Sequence, residues 1–164
     1  DEPRITVDGL AMLDNTESLY ATRTNDGYGF TNYTESIEFF VKGSNAGITN
    51  IFVNNGFIKS KLKITGTTLI AYYTDSAGVQ QSKTLTTSLA MGKHNFTQTL
   101  GGSTLTFYLD GVKICSNTFT LPARTGWTNT QFGLVDSGTN TYDLCLKRFR
   151  CWATALTDKQ VSTL

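Results

Sequence analysis

The sequence predicts an all-β protein, an antiparallel two-sheet β-sandwich closed by a short C-terminal helix. Three observations carry that reading. Short alternating apolar and polar segments recur along the chain, turn dipeptides punctuate them, and one capping motif marks a helix at the end. The 164 residues contain 15 Gly and only 2 Pro, and Thr, Ser and Asn supply most of the polar character, a mixture suited to strands joined by tight turns.

The elements follow in order. Ser36 to Lys42 reads as an early core strand. Ile51 to Val53 and Phe57-Ile58 flank Asn54-Asn55-Gly56, where Asn-Gly would provide the positive φ angles of a type I′ hairpin. Thr68 to Thr74 and Val79 to Leu85 form a second hairpin around Asp75 to Gly78. Asn95 to Leu100 and Thr104 to Leu109 form a third around Gly101-Gly102, and Asp110-Gly111 turns the chain straight into Val112 to Cys115. Gln131 to Val135 and Leu144 to Trp152 read as two further strands around a polar loop. In the last of these, Phe149 and Cys151 share a face and are expected in the core, with Leu146 and Trp152 burying elsewhere as the strand twists or bulges. Thr157 to Gln160 is a capping box, with Leu156 and Val161 as its hydrophobic staple.

The segment Leu105 to Ile114, in which an aromatic and an aliphatic residue meet Asp-Gly and the chain re-enters the sheet, resembles the strand–turn–strand core of laminin-G-like and pentraxin-like sandwiches. The run Leu146 to Leu156, continuing through Thr157-Asp158 into the helix, resembles the closing strand of the same concanavalin A-like lectin/glucanase superfamily. Ser36 to Lys42 is similar to its early core strand, and the echoes run in the expected order from Ile5 onward. The resemblance implies a jelly-roll sandwich over residues 1–164 as a single domain. With Asp1 in place of Met, that domain is expected to be cut from a longer chain. Two departures stand out. Lys147-Arg148 occupies the place where the family commonly carries acidic residues, and the acidic cluster that pentraxin-like members use for calcium is not recognisable.

Composition narrows the function. A formal charge of +1 and no basic run beyond Lys147-Arg148 with Arg150 argue against nucleic acid as partner. No apolar run approaches the roughly 20 residues of a membrane-spanning helix, so no membrane insertion is expected. Cys145 and Cys151, six residues apart in one strand, would sit about 20 Å apart, too far to bridge. Cys115 could pair with one of them only from a neighbouring strand, and three reduced thiols are the expectation. Asn32-Tyr33-Thr34 and Asn95-Phe96-Thr97 match the N-glycosylation sequon, a pattern that arises readily by chance in so Asn- and Thr-rich a chain.

No catalytic constellation emerges, and the protein is expected not to be an enzyme. Glycoside cleavage with retention needs two carboxyl groups about 5 to 5.5 Å apart. Glu35 and Glu38, three residues apart on a strand, should point to opposite faces. His94, the one histidine, enters a strand with no nucleophile marked beside it. Asp136, Asn140 and Asp143 offer oxygen ligands that calcium could take, but a polar loop whose Asp and Asn cap their own backbone is the reading preferred. No cofactor or metal is expected.

Aromatics in polar loops remain, namely Tyr28, Phe30 and Tyr33 in one loop, Trp127 in a second and Tyr142 in a third. Sugar rings stack their C–H faces on such side chains while Asn, Asp and backbone groups bind the hydroxyls. The expected function is therefore a recognition module for a glycan or glycoprotein surface, acting outside the cell or on a virion or cell surface. Its ligand site is expected around Trp127, Asp136, Asn140 and Tyr142, with Tyr28 and Tyr33 as a second platform. The rival readings are a structural or adhesion domain that contacts protein and, more remotely, a glycosidase. A calcium ion and the oligomeric state have no marker in the sequence.

Overall fold

A computed structural model describes residues 4–6, 9–12, 21–24, 32–41, 48–55, 60–74, 79–118, 129–135 and 144–164. Thirteen strands and one helix fill these spans: β1 (Arg4–Thr6), β2 (Gly9–Met12), β3 (Ala21–Thr24), β4 (Asn32–Val41), β5 (Ile48–Asn55), β6 (Ser60–Thr65) and β7 (Thr68–Thr74), then β8 (Gln80–Thr86), β9 (Gly92–Gly101), β10 (Thr104–Leu109), β11 (Val112–Thr118), β12 (Asn129–Val135), β13 (Leu144–Trp152) and α1 (Asp158–Val161). They form a seven-stranded sheet, β1-β2-β13-β4-β9-β10-β11, and a six-stranded sheet, β3-β12-β5-β6-β7-β8. Every strand pair is antiparallel. The two-sheet sandwich and its terminal helix are as the sequence predicts.

The turns show how the local chemistry acts. Asp110 and Gly111 both have positive φ, 51° and 76°, the pair of angles that a tight hairpin between Leu109 and Val112 requires. A Cβ at Gly111 would also lie 3.3 Å from Ser162 Cα, so this turn doubles as the seat of the C-terminal segment. Thr74 pairs with Gln80 and Gly101 with Thr104, closing the second and third hairpins where the sequence places them. The first hairpin is corrected. Asn54 pairs with Ser60, and Asn54 and Asn55 also pair with Thr130 and Asn129 of β12, so both asparagines belong to β5, while Gly56, Phe57 and Ile58 lie outside the described residues. Pairing to a distant strand has outweighed the local turn signal. A further hairpin, β6 to β7 through Gly66 at φ 58°, went unmarked in the sequence pattern.

The core lies between the sheets. Ile37, Phe39, Phe96, Leu100, Leu105 and Phe107 come from the seven-stranded sheet and Leu62, Ile64, Leu69 and Ala71 from the other. Phe107 meets Phe96 at 5.9 Å in its own sheet and Tyr73 at 6.1 Å across the gap, both tilted ring pairs. Fully burying such an aromatic contributes about 2 to 3 kcal/mol each, which makes this row a principal source of cohesion.

The central strand β4 is buried on both faces. Of its outward residues, Thr34 and Ser36 are hydrogen-bonded and Glu38 is ion-paired. Thr34 Oγ1 donates to Thr154 O at 2.9 Å and accepts from Leu156 N at 2.8 Å, fastening the chain that follows β13 across the sheet. Ser36 Oγ donates to Asn95 Oδ1 at 2.7 Å and accepts from Thr97 Oγ1 at 3.1 Å. The second sequon is thereby engaged, with the Asn95 amide held inside a strand-face network instead of standing free on a loop.

The helix forms as its capping box dictates. Gln160 N donates to Thr157 Oγ1, and Thr157 N donates to Gln160 Oε1 at 2.9 Å. Val161 is buried, and Tyr108 Oη donates to Asp158 Oδ1 at 2.7 Å, which docks the short helix on the outer side of the seven-stranded sheet.

Candidate functional site

Register decides which side chains share a surface. Across β13, β4 and β9, Arg148 lies opposite Glu38 and Glu38 opposite Asn95; one row on, Arg150 lies opposite Ser36 and Ser36 opposite Thr97. Trp152 lies opposite Thr34. Directly opposed residues of an antiparallel pair point to one face, so Arg148, Arg150 and Trp152 line the outer face with Glu38. The ladder slips between Leu146, which pairs with Phe39, and Arg148. That bulge lets Leu146 and Phe149 both face the core although they are three residues apart. The expectation for Phe149 and Cys151 is thus met in direction, since both fall on the inner face, but each is only partly buried. Leu146 joins that face and does not bury elsewhere.

The charges divide in the same way. Glu35 faces inward and accepts from Gln98 Nε2, deep between the sheets. Glu38 faces outward, where Lys93 Nζ lies 3.1 Å and Lys147 Nζ 3.6 Å from its Oε1. Burial works to raise the Glu38 carboxyl's pKa, but Lys93, through a hydrogen bond and its charge, and the fields of Lys147 and Arg148 outweigh it and hold the group below its ordinary value. The two carboxyl groups lie on opposite faces of one strand, so they cannot flank a common substrate bond.

His94 is a brace. Its Nδ1 lies 2.9 Å from Asp110 Oδ2, its Nε2 lies 2.9 Å from Ala90 O, and its ring packs 5.8 Å from Phe39. Nδ1 ties the start of β9 to the β10–β11 turn, and Nε2 ties it to the segment just before the strand. None of the three cysteines is disulfide-bonded. β11, which carries Cys115, is separated from β13 by β10, β9 and β4, or about 19 Å of sheet, so neither Cys145 nor Cys151 can reach it. Among the described residues, no group of three or more His, Cys, Asp and Glu gathers as a metal site would require.

Of the aromatics expected in loops, Tyr33 lies in β4 and is 5% exposed within the core cluster, which corrects its assignment to a binding loop. It pairs with Leu100 of β9 beside Thr34, which is paired on both sides, and the ring lies in the sandwich interior. Trp127, Asp136, Asn140, Tyr142 and Tyr28 lie outside the described residues. The strand ends that carry them are described. Asn129, two residues after Trp127, pairs with Thr24, four residues before Tyr28, so both segments join the six-stranded sheet at one end. Val135, the residue before Asp136, is at the other end of β12, about 20 Å from Asn129, and Asn140 and Tyr142 belong by sequence to the connection between Val135 and Leu144. Arg148, Arg150 and Trp152 share a face by strand alternation, which the sequence reading did not single out as a site, and the bulge adds Lys147 to that face.

Two antiparallel sheets packed over a shared core, with one short helix docked on the outer side, define the class of two-sheet β-sandwich folds. The chain belongs to the concanavalin A-like lectin/glucanase superfamily, whose laminin-G-type family model matches residues 14–162. Among solved structures, it is similar to the binding domain of Paraclostridial Mosquitocidal Protein 1, with 16% identity and a TM-score of 0.79 over 99% of this chain and 44% of that one. It is also similar to the botulinum neurotoxin serotype D ligand binding domain in complex with N-acetylneuraminic acid (13% identity, TM-score 0.75, 99% of this chain and 43% of that one). A Trypanosoma rangeli sialidase shares the fold as well (13% identity, TM-score 0.75, 99% of this chain and 28% of that one). The chain thus spans less than half the length of each of these structures. A comparison with curated protein sequences finds no match.

Proposed function

We propose that the chain is a non-catalytic recognition module that binds glycans. The observation that carries this reading is the family itself, a lectin and glucanase fold, on a chain whose two strand carboxylates, Glu35 and Glu38, are committed to opposite faces. Similarity to toxin binding domains, one of them solved with a bound sialic acid, supports binding over cleavage, while the sialidase relative leaves glycosidase as the remote rival. Action outside the cell or at a cell or virion surface fits such a module.

The strand ends favour one platform for the ligand. The segments carrying Trp127 and Tyr28 join neighbouring strands at one end of the six-stranded sheet, so these two aromatics are the stacking groups of the proposed loop site. Asp136, Asn140 and Tyr142 belong to the connection at the opposite end and would join it only by folding back over the sheet.

A broad glycan array with wild-type protein and Trp127→Ala tests the reading. Selective binding is expected, weakened about fivefold in the variant with unfolding unchanged, as the loss of one stacking contact of order 1 kcal/mol predicts. Silence across the array would remove the glycan reading in favour of a protein-contacting adhesion domain. Binding intact in a destabilised Trp127→Ala would mean that the ring is part of the core.

A further inference from the structure

The outer face of β13, β4 and β9 concentrates charge in a way the chain as a whole does not. At the bulge, Lys147 has no partner of its own on β4, because Leu146 pairs with Phe39 and Arg148 with Glu38. A bulge sets two successive residues against one on the partner strand, so Lys147 and Arg148 both stand over Glu38. Lys93 reaches the same carboxylate from β9. Arg150, two residues beyond Arg148, shares the face above Ser36. Three cations, Lys93, Lys147 and Arg148, therefore gather around one carboxylate, with Arg150 one row further along, in a chain with a formal charge of only +1. Glu38 is 7% exposed while Lys93 and Lys147 are 59% and 47% exposed, so the negative charge is sunk in the face and the positive charges stand in solvent. Among the described residues, Arg148 and Arg150 form no ion pair.

The same face offers more than charge. Arg148, Arg150 and Trp152 alternate along one strand, with successive side chains about 6.6 Å apart, close to the span of one sugar ring and its substituents. Trp152, at the end of the row, is partly buried and partly open to solvent. Beneath these side chains Ser36 and Thr97 are buried and bonded to each other and to Asn95, so what underlies the row is polar and not an apolar groove. Guanidinium groups bind carboxylate and sulfate through paired N–H donors, and an indole accepts the C–H face of a pyranose.

We infer that this outer face binds an anionic glycan, its carboxylate or sulfate held by Arg148 and Arg150 with Lys147 adding charge, and its ring resting on Trp152. The ligand class rests on the glycan reading above. The residues are separate from the Trp127 and Tyr28 segments, so the two sites fail independently.

The test compares a sulfated oligosaccharide, a sialylated oligosaccharide and their neutral parents by calorimetry. Wild type is set beside Arg148→Gln/Arg150→Gln, Trp152→Ala and Trp127→Ala, with thermal unfolding checked for each. The acidic sugars are expected to bind at least about tenfold more tightly than the neutral ones. The double arginine variant should erase that preference while leaving the Lys93 and Lys147 pairs to Glu38 in place. Affinity should fall from about 0.05 to 0.5 M salt, as screening shortens the reach of the charges. Should Trp152→Ala unfold, the arginine variant still decides. Equal binding of acidic and neutral sugars, unaffected by the arginine change but weakened by Trp127→Ala, overturns this inference and keeps the glycan reading. Binding of no sugar overturns both. Equally tight binding of anionic phospholipid vesicles or of an oligonucleotide overturns it too, since charge alone would then be the determinant.

Discussion

The Tyr108 hydroxyl donates to Asp158 Oδ1 at 2.7 Å, and through that bond the outer face of β10 holds the first turn of α1. Lys113, opposite Tyr108 on β11, closes on the same carboxylate at 3.3 Å. The helix is four residues long, too short to persist by propensity alone. Its capping box, the buried Val161 and this contact are what keep it in place.

That contact makes stability depend on pH at both extremes. Burial, and then the bond to Asp158, push the Tyr108 hydroxyl up to about 12 from its usual 10.0. The folded protein keeps the proton where the unfolded chain has lost it, so the contribution is complete below about pH 10 and disappears as pH rises through about 12. Asp158 shifts the other way. The Tyr108 bond, then Lys113, hold its carboxyl below 3.8, so its contribution exists above that pH and is lost on acidification. Urea midpoints measured across pH should fall on the alkaline limb in wild type and flatten in Tyr108→Phe. An unchanged alkaline slope in the variant would show that the hydroxyl is not held this way.

Two phenylalanines rank the core. Phe107 is fully buried and touches rings in both sheets, whereas Phe149 is partly exposed at the flank of the cluster. Phe107→Ala should cost about 3 to 5 kcal/mol and Phe149→Ala less than that. Chemical denaturation of both variants checks the order, and the reverse ranking would place the centre of the core at β13 instead of β10.

The thiols have graded access. Denatured protein should react with three equivalents of a thiol reagent without prior reduction. In the native state Cys115 and Cys151, both partly exposed, should react before Cys145, which is 1% exposed. A single reactive thiol in the denatured chain would require a bridge across four strand spacings, which the sheet order forbids.

Much of the strand layout is legible in local chemistry. Asp110-Gly111 names its own turn because few other pairs tolerate two positive φ angles, and Thr157 with Gln160 names the helix start because the reciprocal bonds need that spacing. Asn54-Asn55-Gly56 shows where local chemistry stops. The asparagines read as a turn, but pairing with Thr130 and Asn129 extends β5 through them. Tyr33 read as a loop aromatic because polar residues surround it. The polarity of Asn32, Thr34 and Glu35 is real, yet Thr34 and Glu35 are buried with partners supplied by Thr154, Leu156 and Gln98. No sequence window of β4 contains those partners.

The sequence by itself determined the class of fold, the strand–turn rhythm, the opposition of Glu35 and Glu38 and the capped terminal helix, all set by interactions within a few residues along the chain. Only the tertiary structure decided which faces those residues share. Strand order keeps the cysteines apart, and the slip between Leu146 and Arg148 turns a lysine and an arginine to one side of β13. Pairing with β4 then sets them, with Lys93, around Glu38. The physical reason is that a strand's side chains alternate by a fixed rule, while register, bulges and neighbours are chosen by long-range pairing and burial.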